Sequence, residues 1–399
     1  MSMGSKSGRI ALIVTVALIG FNLRPFLTSI GPLAAGIQEG TGLSLQGMAL
    51  LTLIPMLLMG AVAFAGPALQ LAFGARRSMI GALLVICAGI ALRLPASTGW
   101  SMVATAAMIG LGVAVVQAVF PSIVKREFPR HVGPMMGLYS ATLMGGGALG
   151  AVASPLVAHA TGSWAAGLAC FALPAGAAVV LAGVFLPGDA RARQTANLTR
   201  ILLSRPRTWL LMGCFGLING GYTSVVAWLA PAYQAHDWGA AASGSLLAVL
   251  SVSQAATALT LPILARKTPD RRAWLWLTLA LQAAGFAGLA FMPTVAPFVL
   301  AVILGAGLGG CFALIMIVAL DHMPDPAQAG ALSALMQGGG FILAAVPAWL
   351  VAALHDATGG YAAGWLWHLA CVMIVAGLVV RFAPAGYARV MPALVAASA

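Results

Sequence analysis

The chain has 399 residues, 61% hydrophobic and 7% charged, with 20 basic and 8 acidic residues and a net charge of +12. An ordinary soluble domain carries roughly 25% charged residues, and disorder requires low hydrophobicity, so both classes are excluded. A polytopic membrane protein remains. A spanning helix takes about 20 apolar residues, and 61% of 399 supplies about twelve. The apolar runs, such as Ile10–Leu23 and Met79–Leu92, are continuous rather than alternating. Spanning β-strands alternate in segments of about 10 residues, so the expected class is all-α.

Twelve helices are expected at 9–38, 45–72, 78–96, 100–126, 132–160, 163–186, 207–235, 240–265, 272–292, 296–322, 326–354 and 360–383. Gly- and Pro-rich turns separate them, among them Glu39-Gly40-Thr41-Gly42, Gly74-Ala75-Arg76-Arg77, Pro187-Gly188 and Pro324-Asp325-Pro326. Lys6 and Arg9 precede the first apolar run, but no small-residue cleavage site closes it, so it reads as a retained span.

The basic residues partition by side. Eighteen of the 20 fall at the N-terminus, in the loops after helices 2, 4, 6, 8 and 10, or near the C-terminal end. The opposite loops have none; Arg24 and Arg93 lie within helices. Basic loops stay cytoplasmic, so both termini are expected in the cytoplasm of a bacterial inner-membrane protein. The same distribution, in small clusters between spans, argues against a nucleic-acid partner.

The longest polar stretch, 187–206, carries Arg191, Arg193, Arg200 and Arg205 and divides the chain into bundles 1–186 and 207–399. Its segment Leu198–Leu203 reads either as an amphipathic helix on the inner leaflet or as a solvated linker. The halves repeat. Gly137-Leu-Tyr-Ser140 followed by Gly145–Gly147 matches Gly330-Ala-Leu-Ser333 followed by Gly338–Gly340, 193 residues later. Arg76-Arg77 matches Arg271-Arg272 at an offset of 195, and Gly110-Leu-Gly112 matches Gly307-Leu-Gly309 at 197. Six spans per repeat is an even number, so the halves share one orientation. Such parallel repeats place a transport site at midplane between two bundles.

Arg24 is the strongest site candidate. It lies about 15 residues from either end of the first expected helix, roughly 22 Å at 1.5 Å per residue, too deep to snorkel. Burial there costs at least about 2.5–3.5 kcal/mol. The eight acids, Glu39, Glu127, Asp189, Asp237, Asp270, Asp321, Asp325 and Asp356, all fall in loops or at helix ends. The expected partner of Arg24 is therefore an anionic or strongly polar substrate; the competing reading is a structural cation bonded to helix carbonyls and water. Pro25 removes a helix hydrogen bond beside it.

Further polar candidates at depth are Asn22, Gln117, Tyr139, Asn219, Tyr222, Gln254 and Gln337. Amides and phenols donate to a small anion without a charge of their own. For Gln254 and Gln337, interhelical hydrogen bonding is an equal alternative; Asn219 and Tyr222 lie in helix 7, which the repeat pairs with helix 1. Arg93, near the outer end of helix 3, is expected to snorkel. His368 is expected to pack. Met56, Met59, Phe26 and Trp228 read as an apolar wall or plain packing. The five cysteines are single and apolar in context, so no metal site is expected. Gly305-Ala-Gly307-Leu-Gly-Gly310 matches a dinucleotide pattern, but within a spanning helix it serves close packing. No phosphate-binding loop and no catalytic constellation occurs at membrane depth, so neither a cofactor nor an enzymatic activity is expected.

The six-plus-six repeat with a basic central loop resembles the major facilitator superfamily over nearly the whole chain. Gly66-Pro-Ala-Leu-Gln70-Leu-Ala-Phe-Gly74-Ala-Arg76-Arg77 is similar to that superfamily's loop signature, with Gln70 where the signature has Asp. Asn22-Leu-Arg24-Pro25 continuing into Thr28-Ser-Ile-Gly31-Pro32 resembles the cyanate and 2-nitroimidazole transporter family. Gln117-x-x-Phe120-Pro121, Gly137-Leu-Tyr139-Ser140 and Trp228-Leu-x-Pro231 resemble it too, with Asn219 where members often carry Gln. The resemblance implies a cyanate-like or nitroimidazole-like solute, which agrees with the small anion or polar solute expected at Arg24; the two bundles are expected to work by alternating access about the midplane site, as a monomer. The other class considered is a proton-coupled exporter of drug-like compounds, which needs a buried carboxylate.

Overall fold

The computed structural model describes residues 6–392 apart from 129–130, 189–195, 266 and 325. Among them the elements are α1 (Lys6–Phe21), α2 (Pro25–Thr28), α3 (Ala34–Thr41), α4 (Leu45–Phe73), α5 (Ala75–Ala91), α6 (Gly99–Glu127), α7 (Val132–Thr161), α8 (Trp164–Ala169) and α9 (Ala172–Phe185). They continue as α10 (Ala196–Leu203), α11 (Pro206–Gln234), α12 (Ala240–Ala265), α13 (Arg272–Phe291), α14 (Pro297–Asp321), α15 (Pro326–Thr358) and α16 (Ala362–Leu378). Among the described residues, eleven segments are long and apolar enough to cross a membrane. The twelfth rod is α5, whose 17 residues lie at the lower limit of about 17 for a span.

Two expected helices are broken. The first, expected over 9–38, divides into α1, α2 and α3, because Pro25 has no N–H to offer the Phe21 carbonyl. The chain tightens instead: Leu23 N–H donates to Gly20 O at 3.1 Å, and Leu27 and Thr28 both donate to Arg24 O. The sixth, expected over 163–186, divides into α8 and α9 at Cys170-Phe171, four residues before Pro174. The breaks touch, since Asn22 Nδ2 donates to Pro174 O at 3.1 Å and to Leu18 O at 2.8 Å.

Helix α7 docks onto the first break through small residues. A Cβ on Gly146 would overlap the Phe21 carbonyl, and one on Gly150 would lie 2.7 Å from Pro25 Cα. Ser29 Oγ donates to Pro25 O at 2.6 Å and receives Ser154 Oγ at 2.6 Å. In the second half the matching triplet does similar work, Gly340 lying against the Phe215 ring of α11. The Gly305–Gly310 run lies in α14, where Gly305 and Gly309 meet the carbonyls of Leu250 and Gln254 on α12.

Helices of the first half pack as α4 on α6, α5 on α6 and α1 on α7; those of the second pack as α11 on α15, α12 on α14 and α13 on α16. The halves meet along α4 with α15 and α7 with α12, and α11 touches α2. The central stretch holds the helix α10, whose Leu202 is buried; Thr208 Oγ1 and Trp209 Nε1 tie its last carbonyls to α11. Arg93 does not snorkel. It is 0% exposed, because the turn after α5 folds its side chain inward, where Nη1 donates to Phe26 O at 3.1 Å.

Candidate substrate site

Arg24 caps the short helix α2 with φ −123° and ψ −28°. Its side chain therefore leaves the backbone at a break rather than along a helix wall. It is 9% exposed, and its Nη1 is buried with no hydrogen-bond partner. The guanidinium carbon lies 4.6 Å from the centroid of the Tyr222 ring on α11, a cation–π geometry across the seam between the halves. Gly147 leaves room for the stem: a Cβ there would sit 3.3 Å from Arg24 Cβ.

A small cavity borders this pair, lined by Arg24, Leu143, Met144, Gly147, Tyr222, Ser251 and Gln254. Its free volume is about 10 Å³, room for roughly one water. One wall is apolar (α7) and the other polar (α12), so a polar solute here meets one cation, a phenol, an amide and a hydroxyl.

Of the eight residues expected from the sequence, the fold brings three into this lining: Arg24, Tyr222 and Gln254. Ser251 was missed. It stands one turn before Gln254, and the i, i+3 spacing on α12 was the available signal; its Oγ donates to Leu247 O at 2.8 Å. Tyr139 lies next to the lining, stacked on Phe120 at 4.1 Å and against the Gly20 position, within electrostatic reach of Arg24. Asn22 is turned toward α9, where its Nδ2 donates to Pro174 O. Asn219 donates from Nδ2 to Phe215 O at 2.9 Å, and Gln337 from Nε2 to Ser333 O at 3.5 Å, both within their own helices. Gln117 is half-buried on α6, outside the lining. His368 packs on Phe286 with ring centroids 5.2 Å apart.

The six described acids stay at helix ends or in loops. Glu127 pairs with Arg126, Asp270 with Arg272 and Asp321 with Arg271; Asp356 lies by His355, and Glu39 and Asp237 are exposed. Hydrogen bonding to Arg272 lowers the Asp270 carboxyl below its ordinary range. Among the described residues there is no group of His, Cys, Asp and Glu able to hold a metal ion.

On the side opposite the termini the halves are fastened together. Gln46 Nε2 donates to Asp356 Oδ2 at 3.1 Å, Gln234 Nε2 donates to Pro32 O at 3.0 Å, and Gly244 abuts the Ala151 carbonyl. A polar cavity closed in this way at the seam of two helical halves defines a multi-pass membrane transporter of a small solute. The family model described as Major Facilitator Superfamily matches residues 10–348, and the chain belongs to that superfamily. It is 40% identical over 378 residues to a cyanate transport protein of Escherichia coli (strain K12), covering 94% of this chain and 97% of that one. It is 31% identical over 366 residues to a 2-nitroimidazole transporter of the same organism, covering 90% and 91%. In fold it superimposes with a TM-score of 0.80 on a bacterial homologue of the human lysosomal transporter Spinster, at 14% identity, covering 97% and 99%.

Proposed function

We propose that this transporter carries a small anion or small polar solute, cyanate-like or nitroimidazole-like, across the bacterial inner membrane by alternating access. One observation carries the reading: Arg24 is a buried cation at the seam, with Nη1 unpartnered and no carboxylate near it among the described residues. An intramembrane cation in that state is completed by negative charge from the cargo. The 40% and 31% identical relatives support the same solute classes.

The moving bodies in this reading are residues 1–186 and 207–399, joined by 187–206 and acting as a monomer in lipid. Both termini are cytoplasmic, as the distribution of 18 basic residues on one side favours. Gln254, Tyr222 and Ser251 orient the solute; Tyr139 stands behind Arg24. A proton-coupled exporter of cationic compounds is disfavoured, since the described acids lie at the ends of helices rather than at the cavity.

The test is uptake of labelled cyanate and of 2-nitroimidazole into proteoliposomes, with and without a pH gradient. Losing a charge-assisted hydrogen bond costs about 1.5–3 kcal/mol, so Arg24→Ala lowers cyanate flux roughly ten- to a hundred-fold with the protein still monodisperse in detergent. Full cyanate flux by that variant, or transport of a cationic dye with both solutes ignored, overturns the reading.

A further inference from the structure

The Tyr222 ring offers the Arg24 guanidinium a partner across the seam. We infer that the Tyr222 ring is the surrogate counter-charge that lets the empty carrier close and reorient, so that the protein supports net flux rather than obligatory exchange. The inference rests on the reading that Arg24 holds the cargo.

Arg24 belongs to the first half and Tyr222 to the second, so their 4.6 Å approach exists only when the halves are together. The cavity has room for about one water, too little to hydrate an ion. Closing a site around a bare cation is costly, and that cost blocks the return of an empty carrier while leaving the loaded one free to move. A ring face removes part of the cost, because its quadrupole is negative and cation–π contacts strengthen when desolvated. The contact leaves Nη1 open. Tyr222 thus supplies the stabilisation that is independent of cargo, and Nη1 supplies the seat that cargo fills. The ring and the anion act on different parts of one guanidinium, so both empty and loaded forms can close, the loaded form better.

Three substitutions separate the ring from the hydroxyl and from shape. Tyr222→Phe keeps the ring. Tyr222→trifluoro-Phe keeps its size but drains the negative face, and Tyr222→Leu removes the face. In liposomes containing the full chain, net uptake of labelled cyanate requires the empty return step, and counterflow against internal unlabelled cyanate does not. The ratio of net uptake to counterflow is expected to fall at least about tenfold for Tyr222→Leu and Tyr222→trifluoro-Phe, and to stay near the parent value for Tyr222→Phe. An unchanged ratio in the fluorinated variant overturns the inference.

A second readout needs no transported solute. Spin labels on Glu39→Cys and Asp237→Cys, both exposed on the side opposite the termini, report closure of the halves once the five native cysteines are changed to Ala. Without any solute, the closed distance is expected to dominate for the parent and Tyr222→Phe, and to lose population for the fluorinated and Leu variants. Equal closed populations in all four proteins overturn the inference. A parent that carries no cyanate but shows the expected distance shift rejects the cargo reading and leaves the role of the ring standing.

Discussion

Arg93 Nη1 donates to the carbonyl of Phe26 at 3.1 Å, pinning the break in the first span from the turn after α5. That carbonyl is free because Ile30 N–H, its partner in a regular helix, donates to Leu27 O instead. Arg93 thereby holds α2 in place two residues from Arg24, while its own Nε and Nη2 remain buried without partners. Arg93→Met removes a desolvated cation and orphans one carbonyl. An orphaned buried acceptor costs about 1–3 kcal/mol, and deleting a buried ion often returns as much. The expected outcome is a melting temperature in detergent close to the parent's, with cyanate flux at least about tenfold lower. A variant with parental flux would show that the break holds itself.

The glycine triplet of α7 offers an internal control. Gly146 faces the Phe21 carbonyl, whereas a Cβ on Gly145 would meet nothing within 4 Å. Gly146→Ala is therefore expected to destabilise by about 1–3 kcal/mol through overpacking. Gly145→Ala is expected to be neutral or to stabilise by about 0.5–1 kcal/mol, since alanine is the better helix former. Thermal melts of the two proteins side by side check this, and equal losses would mean that α7 does not sit on the break as described.

The end of the second half that lies on the side of the termini contains a titratable stack. His322, just past α14, lies 3.9 Å from the Tyr387 ring, and its Nδ1 contacts Val318 O at 2.6 Å. Burial holds its pKa down to about 4, against about 6.5 when unfolded. The unfolded chain therefore binds the extra proton first, so this contribution to stability is complete above about pH 6.5 and is lost as pH falls toward 4. His322→Gln is expected to flatten the melting temperature between pH 6.5 and 4.5 relative to the parent. Identical pH slopes for the two would contradict the assignment.

Gln234 ties the halves at the far side through Pro32 O and also donates to Ser243 Oγ at 2.9 Å. Gln234→Ala removes a cross-seam bond worth about 0.5–1.5 kcal/mol. The open population on that side is expected to rise about two- to tenfold, read as faster thiol labelling of Ser251→Cys from the side opposite the termini. No change in labelling rate would remove Gln234 from the closure.

Much of the architecture was legible because membrane physics writes it along one dimension. Hydropathy marked the rods, basic residues marked one side, and the 193-residue spacing of the glycine triplets marked the repeat. The odd position of Arg24 was legible for the same reason, since depth follows from counting residues. Pro25 and Pro174 lie beside the two breaks, but Pro121, Pro155, Pro231, Pro262 and Pro347 lie within unbroken helices, and continuous hydropathy made each broken rod look whole.

What the linear sequence could not carry was direction. Asn22 and Arg24 are two residues apart, but one reaches toward Pro174 and the other across the seam to Tyr222. Arg93 looked free to reach water and instead turns inward to a carbonyl 67 residues away in sequence. Composition and spacing determined that this is a two-fold repeated helical carrier with a lone deep cation. Only the packing of distant helices decided which side chains face that cation, because the angle at which a side chain leaves a broken helix is set by the surfaces that close around it.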